Sequence, residues 1–274
     1  MKTTREARTP RFHVAAELTV GAELTLPKEA SRHFLGVLRG AVGDALCLFN
    51  GDGRDYGAEL VESGRTARVR VVAARDNTTE SRLVTTLVQG VSRADRMDAT
   101  VRQAVELGVT RIVPARSRRT TVKLDDARAA KRHAHWRGIV VSACEQSGRA
   151  RVPVLEPLVD LEDWLAGRPA DRREDRREDR HAERLADAST GFDRRATTGL
   201  VLVPGAARSL GEVPLEHGAD VTVVIGPESG LDPVETDAAL AAGLHAAHLG
   251  PRILRTETAG PATLALLQAR HGDL

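Results

Sequence analysis

Strand-like and helix-like segments alternate from Leu83 to the end of the chain, and this rhythm restricts the possible folds strongly. The strand run RLVTTLVQG precedes ADRMDATVRQAVELG, in which Met97, Val101 and Val105 recur at helical spacing. The order of strand followed by helix is repeated by RIVPA and the long helical stretch DDARAAKRHAHWRGIVVSACEQSG, and further strand and helix runs follow. Such alternation predicts an α/β domain built on a parallel sheet, which we assign to residues 78–274.

The first 77 residues show a different pattern, in which short alternating strands are separated by turns. Alternating runs lie on both sides of Gly21, and a glycine-rich turn at 50–53 joins two further strands. One helical piece at 28–40 interrupts the strands, and Asn77 marks their end. We predict a small β-barrel domain over residues 1–77.

Residues 168–199 differ from both parts because the unit Asp-Arg-Arg-Glu repeats and apolar residues are sparse. The segment holds 9 basic and 8 acidic residues, so its charges nearly cancel. Too little apolar surface is available to offset the entropy of ordering, which predicts a solvated insertion. Partial helix formation through i,i+4 charge pairs, or contact with RNA, are the alternatives.

Composition restricts the class of protein and its partners. The sequence contains no run of about 18 apolar residues that could span a membrane. Residues 1–10 lack the apolar core of a secretory signal, and Cys47 and Cys144 are isolated from each other in the sequence. A cytoplasmic, reduced protein is therefore expected. Residues 1–158 hold 27 basic against 18 acidic residues, whereas 200–274 hold 4 against 9. The basic first part suits nucleic acid, although a solvated basic face is the alternative.

Three apolar strands near the end of the chain each leave through a glycine–proline corner. The corners are Val203-Pro204-Gly205, Ile225-Gly226-Pro227-Glu228 and Leu249-Gly250-Pro251-Arg252. Ligands of open α/β sheets bind beyond the carboxyl ends of the strands, so the corners can line one pocket for a flat heterocycle such as adenine. Each corner alone is more typical of an ordinary turn.

The sequence also indicates where two helices of this region begin or end. Asp232 and Glu235 form a capping-box pattern with Pro233 at the first helical position, and Gly243 ends that helix. The last helix contains Pro261, which predicts an N-cap at about Thr256–Thr258, because only first-turn amides lack an intrahelical partner.

Several familiar sites are missing from the sequence. It contains no GxxxxGK[ST], no GxGxxG between strand and helix, and no G-x-S-x-G. The histidine pairs His133/His135 and His245/His248 lack the spacing of metal ligands, so no metal is expected.

Segments along nearly the whole chain resemble one family, the bacterial 16S ribosomal RNA (uracil-N3)-methyltransferases with a trefoil-knotted α/β domain. PRFHV, SRHFLGVLR and GDALCLFNGDG resemble its N-terminal PUA-like RNA-binding β-barrel. RMDATVRQAVELGV and ACEQSGRARVP resemble its central segments, and IGPESGL and LGPRILRTETA resemble its most specific motifs. The fold implied is a C-terminal trefoil-knotted, parallel-sheet methyltransferase domain behind a PUA-like domain.

The resemblance implies methyl transfer from S-adenosylmethionine to N3 of a uridine in 16S rRNA of the small ribosomal subunit, by a homodimer that needs no metal. A guanidinium of Arg252 or Arg255 would stabilise the uridine anion, and Glu228 and Glu257 would act as base or orient these arginines. The implied cofactor contacts are Leu202, Val203, Pro204, Gly205, Ile225, Gly226, Pro227, Glu228, Leu249, Gly250, Ile253, Leu254 and Arg255. The candidate RNA contacts are Arg11, Arg39, Arg93, Arg96, Arg119 and Arg149.

The sequence departs from the family pattern at three places. Ser229 stands where a glycine is usual, Gln103 replaces a lysine, and Gly260-Pro261 replaces helix-favouring residues. A serine at Ser229 would be strained if the position required positive φ. Two other functions stay open: 2′-O-ribose methylation of tRNA or rRNA by the same fold, and a non-catalytic RNA-binding factor for ribosome assembly.

A flexible linker in place of the charged stretch 171–190 tests whether this part of the insertion matters. We expect methyl transfer near that of the full chain, because a solvated insertion adds nothing to the predicted pocket. Transfer rates of the two proteins, measured side by side, check this. A large loss of rate would favour the RNA-contact alternative.

Overall fold

The computed structural model describes residues 9–120, 125–167, 197–215 and 220–274. The predicted insertion lies outside the described residues except for its last three positions, which belong to a strand, and residues 1–8 lie outside as well. Contacts divide the chain into two compact units. One contains the described residues up to Glu80 with Val140–Val152, and the other contains Ser81–Ile139 with the described residues from Pro153 onward. The predicted domain boundary after residue 77 stays a prediction.

The first unit is built on a five-stranded sheet in the order β1-β3-β4-β5-β2. β1 runs parallel to β3, and the other pairs are antiparallel. Its strands are β1 Arg11–His13, β2 Glu23–Thr25, β3 Ala45–Phe49, β4 Arg54–Ser63 and β5 Ala67–Asp76. On β5, Val69 and Val71 are fully buried while Arg68 and Arg70 face solvent, which is the alternation expected of a half-buried strand.

Two elements of the first unit differ from the sequence prediction. Helix α1 covers only Lys28–Arg32 and continues as a π-helical turn, His33–Val37, instead of running to residue 40. Residues 18–20 form no strand; Leu18 is buried in the core next to Phe12 and Phe34. An alternating pattern reports which side chains are buried, and a loop that buries one leucine satisfies it equally well.

The second unit carries a seven-stranded sheet in which every strand pair is parallel. The order is β12-β10-β11-β6-β7-β8, and β9 also pairs with β7. The strands are β6 Thr85–Gly90, β7 Arg111–Arg116, β8 Val154–Leu155, β9 Val159–Asp160, β10 Thr197–Leu202, β11 Asp220–Ile225 and β12 His245–Ala247. The central strands β6 and β11 are buried along almost their whole length; β11 is mostly apolar, whereas β6 also buries Thr85 and Gln89.

Five helices of the described residues alternate with these strands, and the sequence predicts all of them except the short helix at 161–166. They are α2 Ala94–Glu106, α3 Asp126–Ser147, α4 Leu161–Ala166, α5 Pro233–Ala241 and α6 Thr256–His271, with a 3₁₀ turn at Leu210–Glu212. Helix α3 contributes residues to both compact units. Within the described ranges, no helix has the length and apolar character needed to cross a bilayer.

The predicted ends of α5 and α6 can be compared with the structure. Asp232 accepts a hydrogen bond from Val234 N–H and forms the predicted capping box with Glu235, and Gly243 follows the helix with φ of +81°. Helix α6 begins at Thr256 with Arg255 as its N-cap, one residue before the predicted range, so Pro261 is the sixth helical residue and lies beyond the first turn. Pro261 is buried there, so packing offsets the hydrogen bond that it cannot donate.

Gly90 ends β6 at a point where another loop passes very close. A Cβ atom at this position would lie 2.5 Å from the backbone nitrogen of Pro227. A side chain cannot occupy this space unless the corner that follows β11 moves. The approach of these two backbones therefore determines where the Gly226-Pro227 corner lies.

Gly90→Ala is expected to destabilise the protein by about 2 kcal/mol, because the methyl group overlaps backbone atoms. Chemical denaturation measures the change. Gly138→Ala is the matched control, since Gly138 lies inside α3 with nothing near its Cβ position and is expected to gain up to about 1 kcal/mol. Equal stabilities for the two variants would contradict the close approach.

Candidate active site

The three glycine–proline corners meet at one edge of the parallel sheet. Strand β10 lies between β12 and β11, and all three run in the same direction, so the residues after Leu202, Ile225 and Ala247 emerge side by side. Together they line a cavity of about 610 Å³. This volume lies in the range of pockets that bind small organic ligands.

The cavity brings together every residue that the sequence resemblance assigned to the cofactor or to catalysis. The residues predicted from the first two corners, Leu202, Val203, Pro204, Gly205, Ile225, Gly226, Pro227 and Glu228, line it. Those predicted from the third corner and beyond also line it: Leu249, Gly250, Arg252, Ile253, Leu254, Arg255 and Glu257. What each residue binds stays a prediction, whereas their proximity is a property of the structure.

Short hydrogen bonds hold the corners in place. Gly230 N–H donates to the carbonyl of Pro227 at 2.9 Å, and Gly250 N–H donates to Nδ1 of His248 at 2.9 Å. The second contact requires Nδ1 of His248 to be unprotonated. His248 therefore lines the cavity and accepts a hydrogen bond from its third corner. The spacing of the histidine pairs in the sequence did not indicate this contact.

Ser229 is not strained, in contrast to the concern raised by its departure from the family pattern. The left-handed residue of this turn is Gly230, with φ of +73°, and Arg39 is the one non-glycine residue with positive φ among those described. The Ser229 hydroxyl donates to the carbonyl of Arg119 at 2.6 Å, and Arg119 Nε contacts Asp232 Oδ2 at 3.2 Å. Serine thus ties this corner to the loop after β7.

Arg96 lies between the two acidic residues of the cavity. Its guanidinium is 3.4 Å from Glu228 Oε1 and 3.7 Å from Glu257 Oε1. All three side chains are partly exposed, so these contacts stabilise the fold only modestly. Their effect is to place one positive and two negative charges at fixed positions beside the pocket.

Glu228 has a structural contact that the sequence did not indicate. Its Oε1 accepts the N–H of Arg93, the N-cap residue of α2, at 2.9 Å. A carboxylate there satisfies an amide at the helix start and interacts favourably with the helix dipole. Glu228 and Glu257 therefore contact Arg96, and not Arg252 or Arg255 as the sequence reasoning allowed.

Arg252 and Arg255 stand at the exposed rim of the cavity. Within the described ranges neither guanidinium has an ion-pair partner. Ile253 lies between them with 82% of its surface exposed. Two uncommitted positive charges and an exposed apolar side chain therefore border the opening.

The six candidate RNA contacts divide into three pairs. Arg39 and Arg93 are exposed, and Arg96 and Arg119 line the cavity. As a correction to the sequence prediction, Arg149 is 3% exposed and pairs with Glu80 at 2.7 Å, and the Arg11 side chain is only 10% exposed and pairs with Asp55 at 2.9 Å. Both inward arginines bind acidic partners inside the first unit, so we remove them from the RNA-contact set.

No group of three or more His, Cys, Asp or Glu residues in the described part of the chain is arranged to hold a metal ion. Cys47 and Cys144 are both buried thiols outside any disulfide, and burial raises the pKa of the Cys47 thiol. A thiol with a raised pKa is a poor nucleophile at neutral pH. Cys47 is therefore not a candidate nucleophile.

Two known domain families match the sequence. An RNA methyltransferase domain matches residues 79–268, and an RNA methyltransferase PUA domain matches residues 26–72. A protein of Buchnera aphidicola named ribosomal RNA small subunit methyltransferase E is 28% identical to this chain, over 97% of this chain and 98% of its own length.

Two solved structures are similar over nearly the whole chain. The ribosomal RNA small subunit methyltransferase E of Neisseria gonorrhoeae bound to S-adenosylmethionine has a TM-score of 0.82 and 36% identity, covering 97% of this chain and 99% of that one. A Legionella pneumophila chain in complex with the same cofactor has a TM-score of 0.84 and 32% identity, covering 98% and 100%. These similarities confirm the predicted fold class, an α/β methyltransferase domain with an N-terminal PUA domain.

Glu228→Ala and Glu228→Gln separate helix capping from charge. The alanine variant should lose about 1 kcal/mol because Arg93 N–H loses its acceptor, whereas glutamine retains an acceptor oxygen and most of the stability. Denaturant unfolding measures both, with Glu106→Ala at the exposed far end of α2 as the control. Equal losses for alanine and glutamine would show that charge dominates.

Proposed function

This chain belongs to the RNA methyltransferase family, and from that premise we propose that it transfers a methyl group from S-adenosylmethionine to N3 of a uridine in 16S rRNA of the small ribosomal subunit. The similarity to rRNA small subunit methyltransferases over nearly the whole chain supports the substrate class. The observation that carries the proposal is the single cavity formed by the three corners, with arginines and carboxylates at its edge.

The residues of the cavity fit S-adenosylmethionine. Apolar walls from Leu202, Ile225 and Leu249 suit an adenine ring, and the backbone groups of the corners are available to its hydrogen-bonding edge. Glu228 and Glu257 provide negative charge close to a ligand that carries a cationic sulfur and an ammonium group. When bound, the cofactor supplies an electrophilic methyl group, and the protein therefore needs no metal for the transfer.

Arg255 and Arg252 are the groups that we propose to act on the uridine. N3 of uridine is a poor nucleophile until its proton leaves, and the negative charge then spreads onto O2 and O4. An exposed guanidinium without an internal partner is free to approach these oxygens and stabilise the anion. Arg255 is the stronger candidate because it is the N-cap of α6, and the helix holds its backbone.

Glu257 is a better candidate for the base than Glu228. Its Oε2 is buried, and it has no hydrogen-bond partner among the described residues, whereas Glu228 Oε1 already accepts from Arg93. A buried acceptor without a donor is costly, and rotation of the partly exposed carboxylate would bring this oxygen to a substrate N–H in the cavity that Glu257 lines. We propose that Glu257 receives the N3 proton.

We further propose that exposed Arg39, Arg93 and Arg119 contact the RNA backbone and that the target base is unpaired or flipped. N3 lies on the Watson–Crick edge and is inaccessible in a duplex.

A homodimer is proposed as well, because a second copy would cover the exposed apolar side chains of Ile253 and Leu266. Action on ribosomal RNA is consistent with a cytoplasmic location.

Labelled S-adenosylmethionine and purified small ribosomal subunits test the reaction directly. We expect label in 3-methyluridine after complete digestion of the 16S rRNA to nucleosides. Label in a 2′-O-methylated nucleoside would replace this function with ribose methylation. Absence of both transfer and cofactor binding would favour the non-catalytic factor.

Arg255→Ala should lower the turnover number at least about 100-fold while cofactor affinity changes little, since the guanidinium acts on the developing anion. Single-turnover kinetics and calorimetry measure the two quantities. Arg102→Ala, an exposed arginine of α2 away from the cavity, is the control and should behave like the unmodified protein. An unchanged turnover number for Arg255→Ala would remove this residue from the chemistry.

A further inference from the structure

A buried amide lies behind the cavity, and the proposed reaction does not use it. Gln89 is the penultimate residue of β6 and has no exposed surface. Its Nε2 donates to the hydroxyl of Thr256 at 2.8 Å and to the carbonyl of Gly90 at 3.1 Å. Polar side chains inside a methyl-rich sheet are costly unless their hydrogen bonds are specific, so this arrangement requires an explanation.

The hydrogen bonds have one consistent direction. The Thr256 hydroxyl has a single proton, which it donates to the carbonyl of Gly226 at 2.7 Å. Toward Gln89 the hydroxyl oxygen can therefore only accept a hydrogen bond, and an N–H of the Gln89 amide donates it. The relay runs from the Gln89 amide through the Thr256 hydroxyl to the Gly226 carbonyl.

This relay joins three parts of the cavity. Gly226 opens the corner after β11, Thr256 is the first residue of α6, and both line the cavity. Arg255 and Glu257 flank Thr256 in the sequence. The position of Thr256 therefore determines where the backbones of both neighbours lie at the edge of the cavity. A displacement of Thr256 would change the cofactor corner and the catalytic candidates together.

The departure at Gly260 has its physical reason in the same amide. A Cβ atom at Gly260 would lie 3.2 Å from Gln89 Oε1 and 3.6 Å from the methyl groups of Leu87. Glycine in a helix interior costs about 1 kcal/mol relative to alanine. Here it leaves room for the amide to keep the orientation that the relay needs.

We infer that Gln89 and Thr256 are positioning residues for S-adenosylmethionine, and that their hydrogen-bond relay holds the Gly226-Pro227 corner in register with the start of α6. The inference rests on the proposed function, because it concerns the same cavity. Neither residue reacts. Loss of the Thr256 hydroxyl leaves the Gly226 carbonyl and a Gln89 N–H without partners, and the corner is then free to move.

Thr256→Val, Thr256→Ser and Thr263→Val test the relay in the full chain. Valine keeps the shape of Thr256 without its hydroxyl, and serine keeps the hydroxyl. Thr263 is the matched control, because it lies in the same helix, is fully buried, and donates only to the carbonyl of Ala259 one turn earlier. Calorimetry gives the S-adenosylmethionine dissociation constant, and thermal unfolding reports the general loss of stability.

We expect Thr256→Val to weaken cofactor binding about tenfold and Thr256→Ser to restore it to within about threefold of the unmodified protein. Thr263→Val should lower the unfolding midpoint by a similar amount and leave cofactor affinity unchanged. If Thr256→Val does not fold, Gln89→Met tests the relay from its donor end with the side-chain volume retained, and the same tenfold weakening is expected.

Two results would overturn the relay while leaving the proposed function in place. One is a folded Thr256→Val or Gln89→Met variant that binds the cofactor as tightly as the unmodified protein does. The other is a serine variant as weak as the valine variant, which would show that the methyl group of Thr256 matters and the hydroxyl does not. Failure of the unmodified chain to bind S-adenosylmethionine would instead overturn the proposed function, and the relay with it.

Discussion

The parallel direction of β12, β10 and β11 is the constraint on which the candidate site depends. Because the three strands are neighbours and run the same way, their glycine–proline corners share one edge of the sheet. An antiparallel partner at any of these positions would send one corner to the opposite edge. The close approach of Gly90 to Pro227 then determines how near the middle corner lies to β6. The cavity thus follows from strand direction and backbone contact, and its lining side chains add specificity.

Charge in the site is arranged in two layers. Arg96 stands between Glu228 and Glu257, and one carboxylate oxygen of Glu257 is buried without a hydrogen-bond partner among the described residues. Arg252 and Arg255 remain exposed at the rim. The inner charges are therefore held by the protein, whereas the outer charges are available to an anionic substrate. A methyl donor with a positive charge and an RNA with a negative charge fit these two layers respectively.

Local signals in the sequence predicted local structure well. The capping box of Asp232 and Glu235, the helical spacing of α2 and the apolar strand runs each depend on neighbours within a few residues, and the structure reproduces them. Predictions about side-chain direction were less successful. Arg11 and Arg149 share the composition of a basic, RNA-facing region, yet both point inward to acidic partners that lie 44 and 69 positions away along the chain. No periodicity within the sequence reports such partners.

The sequence by itself determined most of the longer strands and helices, the three corners and the identity of the residues that follow them, because these features are set by backbone preferences over short distances. It did not indicate the short elements β8, β9 and α4. Only the tertiary structure decided which of those residues face one another. Glu228 binds the start of α2, Ser229 binds the loop after β7, and Gln89 reaches Thr256 across 167 positions. Such contacts depend on how strands lie side by side in the sheet, and that arrangement results from burial of the whole core at once.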